Sequence, residues 1–117
     1  MIKILETSTE LTKVQKYLMT TSPAIKSVKD LADGEGVKVV ASLTFQDIKD
    51  DGEEVEIFSI LDENGVAYAT NSKTFKRAFL DIVEAMDGEY PIPILKSSGV
   101  SNAGRQFVQC ELDVASL

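Results

Sequence analysis

The chain has no histidine, no tryptophan and a single cysteine, Cys110. Without histidine, the commonest general base and nitrogen ligand for metals is missing. One cysteine excludes an internal disulfide and a cysteine-rich zinc site. Apolar runs end after a few residues, far short of the ~20 that span a bilayer. The start, Met1-Ile2-Lys3-Ile4-Leu5-Glu6, has neither a long apolar stretch nor a small-residue cleavage site, so no leader is expected. A lone thiol without an export signal fits a reducing cytoplasm. Internal repeats and low-complexity tracts are also absent. These gaps disfavour an enzyme, a metalloprotein and a bound cofactor, and none of the three is expected.

What is present is ordinary globular material. At 117 residues, with 44% hydrophobic and 26% charged side chains, the chain can bury one core but not two. A single domain over 1–117 is expected, with residues 1–23 as a helical extension and 24–117 as the body. Charge is uneven within the net −7. Residues 1–29 hold five lysines against Glu6 and Glu10, whereas residues 30–63 hold eleven acids against Lys38 and Lys49. Net acidity opposes strong duplex binding. It leaves room for a locally basic groove, because salt screens charges beyond ~8–10 Å.

Residues 9–19 carry Leu11, Val14 and Leu18 at helical spacing, with Ser8 or Thr9 available as a cap. Residues 36–48 alternate: Val37, Val39, Ala41, Leu43 and Phe45 share one parity, which predicts a long half-buried strand. A charged hairpin loop, Asp47 to Gly52, leads to a second strand over 54–62, with a bulge expected near Phe58. Asn64-Gly65 is a strong hairpin cue and leads to a third strand, Val66 to Thr70. The period then changes. Phe75, Ala78, Phe79, Ile82, Val83 and Met86 predict a four-turn helix, capped by Asn71 or Ser72 and ended by Gly88. Tyr90, Ile92 and Ile94 alternate with Pro91 and Pro93, which reads as an edge strand. A polar loop over 97–104 precedes a last strand, 105–112. The expected fold is therefore mainly β: a five-stranded oligonucleotide/oligosaccharide-binding (OB) barrel with one helix between strands three and four and a short N-terminal helix. A generic α+β sheet with one packed helix is the alternative.

Asp50, Asp51, Glu53, Glu54 and Glu56 are the acids a magnesium-dependent nuclease would want, but they sit where charges keep a hairpin turn soluble. Cys110 has core parity and no histidine to activate it. Binding chemistry is better represented. Single-stranded nucleic acid needs rings for base stacking and cations for phosphates. Phe107 is the leading ring, on the polar parity of the last strand. Tyr68 follows, equally readable as core, and then Phe58, for which a core position is favoured. Arg105 is the first cation, since its planar fork suits phosphate and stacks on bases. Lys96, across the same loop, and Lys49, in the acidic hairpin, come next.

Three segments carry a resemblance. They are Ser27 to Gly34, Phe58 to Phe75, and Ser98 to Leu112 with its Gly104-Arg105-Gln106-Phe107 run. Together they resemble the small single-stranded DNA-binding proteins of phages and mobile elements of Gram-positive bacteria, most nearly those of protein-primed phage replication. The resemblance implies an OB barrel that coats displaced strands during DNA replication without sequence preference, in the cytoplasm of a bacterial host. It implies stacking by Tyr68 and Phe107 and phosphate contacts from Arg105 and Lys96, with homo-oligomers and replication proteins as further partners and no role for a membrane. The chain lacks the tryptophans frequent in that group and the acidic partner-recruiting tail of the bacterial housekeeping version. The rival reading is an acidic interaction module on the same barrel, in which residues 47–63 face a basic partner or mimic nucleic acid.

Overall fold

The strict alternation of residues 36–48 builds the longest strand of the protein. The computed structural model describes residues 1–117, and this strand is the spine of its single sheet. In chain order the elements are β1 (Ile2–Thr7), α1 (Lys13–Thr20), β2 (Lys26–Ser27), β3 (Gly36–Ile48), β4 (Glu54–Asp62), β5 (Ala67–Thr70), α2 (Lys73–Ala85), β6 (Ile92–Val100) and β7 (Gln106–Leu112). Short 3-10 turns follow β2 and β7. The strands run β2-β5-β4-β3-β6-β7, with β1 also on β3. All pairings are antiparallel except β2 with β5.

The architecture is mainly β with two helices, and the sheet curls strongly into a half-barrel. The sheet has seven strands, where five were expected. The free edge of β5 is taken by β2 for two residues, and β7 pairs with β6 alone. α2 packs against β7 instead of a strand doing so. Residues 1–23 are more than a helical extension, because they supply β1 to the sheet.

One irregularity decides which residues face which side. Val39 pairs with Asp62 and Ala41 with Leu61, so Val40 is an extra residue in β3. An inserted residue reverses the side-chain phase beyond it. Val37 and Val39 therefore join Phe58, Ile60, Phe75 and Phe79 in the core beneath α2. Ala41, Leu43 and Phe45 join Met19, Leu61 and Ala67 in a second core on the α1 side. The five residues of one parity are thus split between two cores. Ser42 and Thr44 turn instead toward α2, where both are buried and Ser42 Oγ lies 3.2 Å from the Tyr90 hydroxyl. The bulge expected at Phe58 lies across the hairpin, in β3.

β6 is an interior strand, between β3 and β7, and not an edge. Pro93 is tolerated there for a geometric reason. Its carbonyl accepts the Asp113 amide at 2.9 Å, so its missing donor points beyond the end of the β7 ladder, which begins at Ile94 with Leu112.

The caps follow local chemistry. Thr12, not Ser8 or Thr9, starts α1, because its Oγ1 and the Gln15 side chain form a reciprocal capping box. That start leaves Leu11 outside the helix and Val14 exposed, with Met19 as the fully buried anchor. Ser72 Oγ accepts the Phe75 amide at 3.1 Å to start α2, and Gly88 follows its end at φ +72°.

Candidate nucleic-acid interface

The β6–β7 hairpin brings Phe107 and Arg105 together. β6 continues to Val100, into the segment expected as a loop, so the turn is only Ser101 to Arg105. The Ser101 amide donates to the Arg105 carbonyl at 2.8 Å, and the Arg105 amide donates to Ser101 Oγ at 3.2 Å. Gly104 takes φ +78°, a conformation glycine adopts without strain. This compact turn leaves the Arg105 side chain exposed, and it makes no ion pair.

Phe107 is paired with Gly99 and is half-buried. Its ring lies directly over Gly99, where an added Cβ would overlap two ring atoms and crowd a third. The glycine is therefore a seat for the ring. Two shallow hollows, about 450 and 470 Å³, meet at Gln106 and Phe107. One reaches Lys29, Asn71 and Ser72, and the other reaches Thr74 and Arg105. Both volumes suit small-molecule groups. No acidic side chain lines either hollow.

The N-terminus of α2 opens beside this hairpin. Its first turn carries no acidic residue, so the positive end of the helix dipole is not neutralised locally. Lys73 and Arg77 on that helix are exposed and unpaired, whereas Lys76 is held by Glu56 at 3.6 Å.

Of the other four expected residues, Phe58, Tyr68 and Lys49 have different places, and Lys96 lines the first hollow beside Phe107. Phe58 is 4% exposed and packs its ring 5.6 Å from that of Phe79. Tyr68 is buried in the same core, opposite Ile60. Burial, with Asp62 and Glu35 nearby, pushes its phenol up from the usual value. The hollow beside it is lined by Asp62, Glu63 and Asp113 against Lys38, which Glu63 pairs at 3.6 Å, so its net charge is negative and disfavours phosphate. Neither ring offers a stacking face. Lys49 is exposed in the β3–β4 turn with Asp50 and Asp51, past the opposite end of β3 from the β6–β7 hairpin.

Lys96 is a structural cation. It is 6% exposed, and its ammonium sits 3.0 Å from Asp33, which also accepts from Ser98. Its backbone binds the same turn, donating to the Glu35 carbonyl and accepting the Gly34 amide. The Ser98 and Lys96 hydrogen bonds hold the Asp33 carboxyl below its usual value. A depressed carboxylate stabilises the fold above its unfolded pKa, and that contribution disappears as pH falls through the folded value. Asp33→Asn is therefore expected to lower Tm at neutral pH by stranding the buried Lys96 charge. The difference from the parent should shrink as pH falls below the usual carboxylate range, where Asp33 takes up a proton and becomes, like asparagine, uncharged. Thermal melts of the two proteins across that range check this.

Lys29 was not identified as a contact from the sequence, and its position next to Phe107 comes from the 3-10 turn after β2. The Ser27-x-x-Asp30 spacing, which caps that turn through the Asp30 carboxylate on the Ser27 amide at 3.3 Å, is the signal that marks it. Cys110 is buried, and burial pushes its thiol up to about 12, so it is not a nucleophile at neutral pH. No three of the ligating side chains gather as a metal site, and no helix is long and apolar enough to cross a membrane.

No family model, curated protein or solved structure matches the chain. The chemistry of the hairpin carries the functional reading.

Gly99→Ala should displace the Phe107 ring without touching any charge. The expected result is a folded protein whose oligonucleotide affinity falls about as far as that of Phe107→Ala. Parallel anisotropy titrations of the two variants check it.

Proposed function

We propose that the protein binds single-stranded DNA without sequence preference, protecting displaced strands during phage or plasmid replication. The observation that carries this reading is the half-buried Phe107 ring, seated on Gly99 beside the unpaired Arg105. Bases stack on the ring, a sequence-tolerant contact because every base has a π-face. Phosphates meet Arg105, Lys29, Lys73, Arg77 and the open end of α2. Single strands fit the arrangement better than duplex, because one ring in a shallow hollow addresses an unstacked base.

Ionic strength gives the test. With four cations in contact, log affinity should fall with log salt at a slope of roughly −3, about −0.7 per phosphate on a single strand. Anisotropy of labelled oligo-dT at a series of salt concentrations measures it. A flat dependence with no binding at low salt would sink the reading.

A second reading keeps one specific support. Asp50, Asp51, Glu53 and Glu54 are all exposed around the β3–β4 turn, a face suited to a basic protein. It predicts no affinity for single strands, and weaker partner capture when those four acids are neutralised.

A further inference from the structure

β1 is an edge strand with few of the usual protections. It pairs with β3 on one side only, and all six residues are exposed. Ile2, Ile4 and Leu5 are 37%, 36% and 39% exposed. Natural edges are blunted by proline, by charged side chains, by bulges or by a covering element. Here there is no proline and no cover, and Lys3, Glu6 and the slip at Leu5 are the devices present.

We propose that β1 pairs with β1 of a second copy of the chain, antiparallel, about a twofold axis through Ile4. The ladder with β3 fixes which backbone groups are free. Met1 and Ile48 exchange two hydrogen bonds of 2.7 Å, so Met1 and Lys3 turn their amides and carbonyls toward β3. Ile2 and Ile4 therefore turn theirs outward. The register slips between Ile4 and Glu6, and Glu6 then pairs with Thr44. With Leu5 as the extra residue, the next outward position is Thr7. The free groups thus lie at Ile2, Ile4 and Thr7.

A twofold axis perpendicular to a sheet sets one residue opposite itself. Placed at Ile4, it sets Ile4 opposite Ile4 of the second copy and Ile2 opposite its Thr7, because the bulge occupies one position. All of these have outward backbone groups. The same register sets Lys3 against the Leu5–Glu6 bulge of the other copy. Lys3 and Glu6 share a face, since their partners Gln46 and Thr44 are two apart on β3. Two Lys3–Glu6 ion pairs therefore form across the axis. An axis through Lys3 would instead oppose lysine with lysine. The edge is complementary to itself in hydrogen bonding, apolar surface and charge together, which points to a second copy as its occupant. Both copies then turn the same face of the sheet to the same side.

Sedimentation velocity of the full chain without nucleic acid tests this apart from any DNA reading. The expected species is twice the 12.8 kDa of one chain. Ile4→Lys opposes two like charges on the axis and should return the 12.8 kDa species. Ile4→Cys should cross-link under mild oxidation, because the axis residue faces itself and the buried Cys110 does not compete. Lys3→Glu should weaken the dimer, and adding Glu6→Lys should restore it. A wild-type chain that stays monomeric at every concentration overturns the proposal. So does a dimer unmoved by Ile4→Lys, or a charge swap that fails to restore association.

Discussion

Replacing Phe79 with alanine will destabilise the protein by about 3–5 kcal/mol, the range for deleting a fully buried aromatic ring. Phe79 has no exposed surface, and its ring packs on Phe58. It also anchors α2 over the open side of the half-barrel, where no strand pairs with the outer edge of β7. The cavity cannot collapse easily, because β-sheet and helix are both fixed by their own hydrogen bonds. Urea unfolding should show a lower midpoint with an unchanged slope. Leu80→Ala is the control. That side chain is 40% exposed on the next position of the same helix, and its loss should cost well under half as much.

Phe107→Ala will weaken single-strand binding by about 1–3 kcal/mol, roughly 5- to 150-fold, the value of one base–aromatic stack. Its effect on stability should be small, since the ring is half-buried on a glycine and belongs to neither core cluster. Arg105→Ala should instead flatten the salt dependence by about 0.7, one phosphate contact. Tyr68→Phe provides the contrast. It keeps the core volume and removes only a hydroxyl flanked by acids, so DNA affinity should not change. The ratio of dissociation constants at fixed salt separates these three variants.

Residues 36–48 and 54–62 were legible as strands to the residue, because alternation persisted over many positions. α2 was legible because six apolar residues keep a 3.6-residue period. Which core each strand residue entered was not legible. The bulge at Val40 leaves no mark in a run of valines and alanines, yet it reverses the phase of everything after it. β1 was missed although Ile2 and Ile4 alternate, because a six-residue exposed strand needs β3 to exist. β2 is two residues long and has no periodicity to read. Among the binding candidates, Phe107 and Arg105 stand together on the β6–β7 hairpin, and they stood out in the sequence because an aromatic on a polar parity beside a glycine turn is unusual. Tyr68 and Phe58 look the same in sequence. Only packing distinguishes a ring under α2 from a ring over Gly99. Lys96 does line the Phe107 hollow, but that its charge is already paired was not legible: its counter-charge, Asp33, is far away in the chain and joins it only through the turn before β3.

The most direct measurement is a fluorescence-anisotropy titration of labelled oligo-dT with the wild-type protein, alongside a duplex of the same length. The account predicts salt-sensitive binding to the single strand and little to the duplex. A folded protein that leaves oligo-dT free at low salt would contradict it.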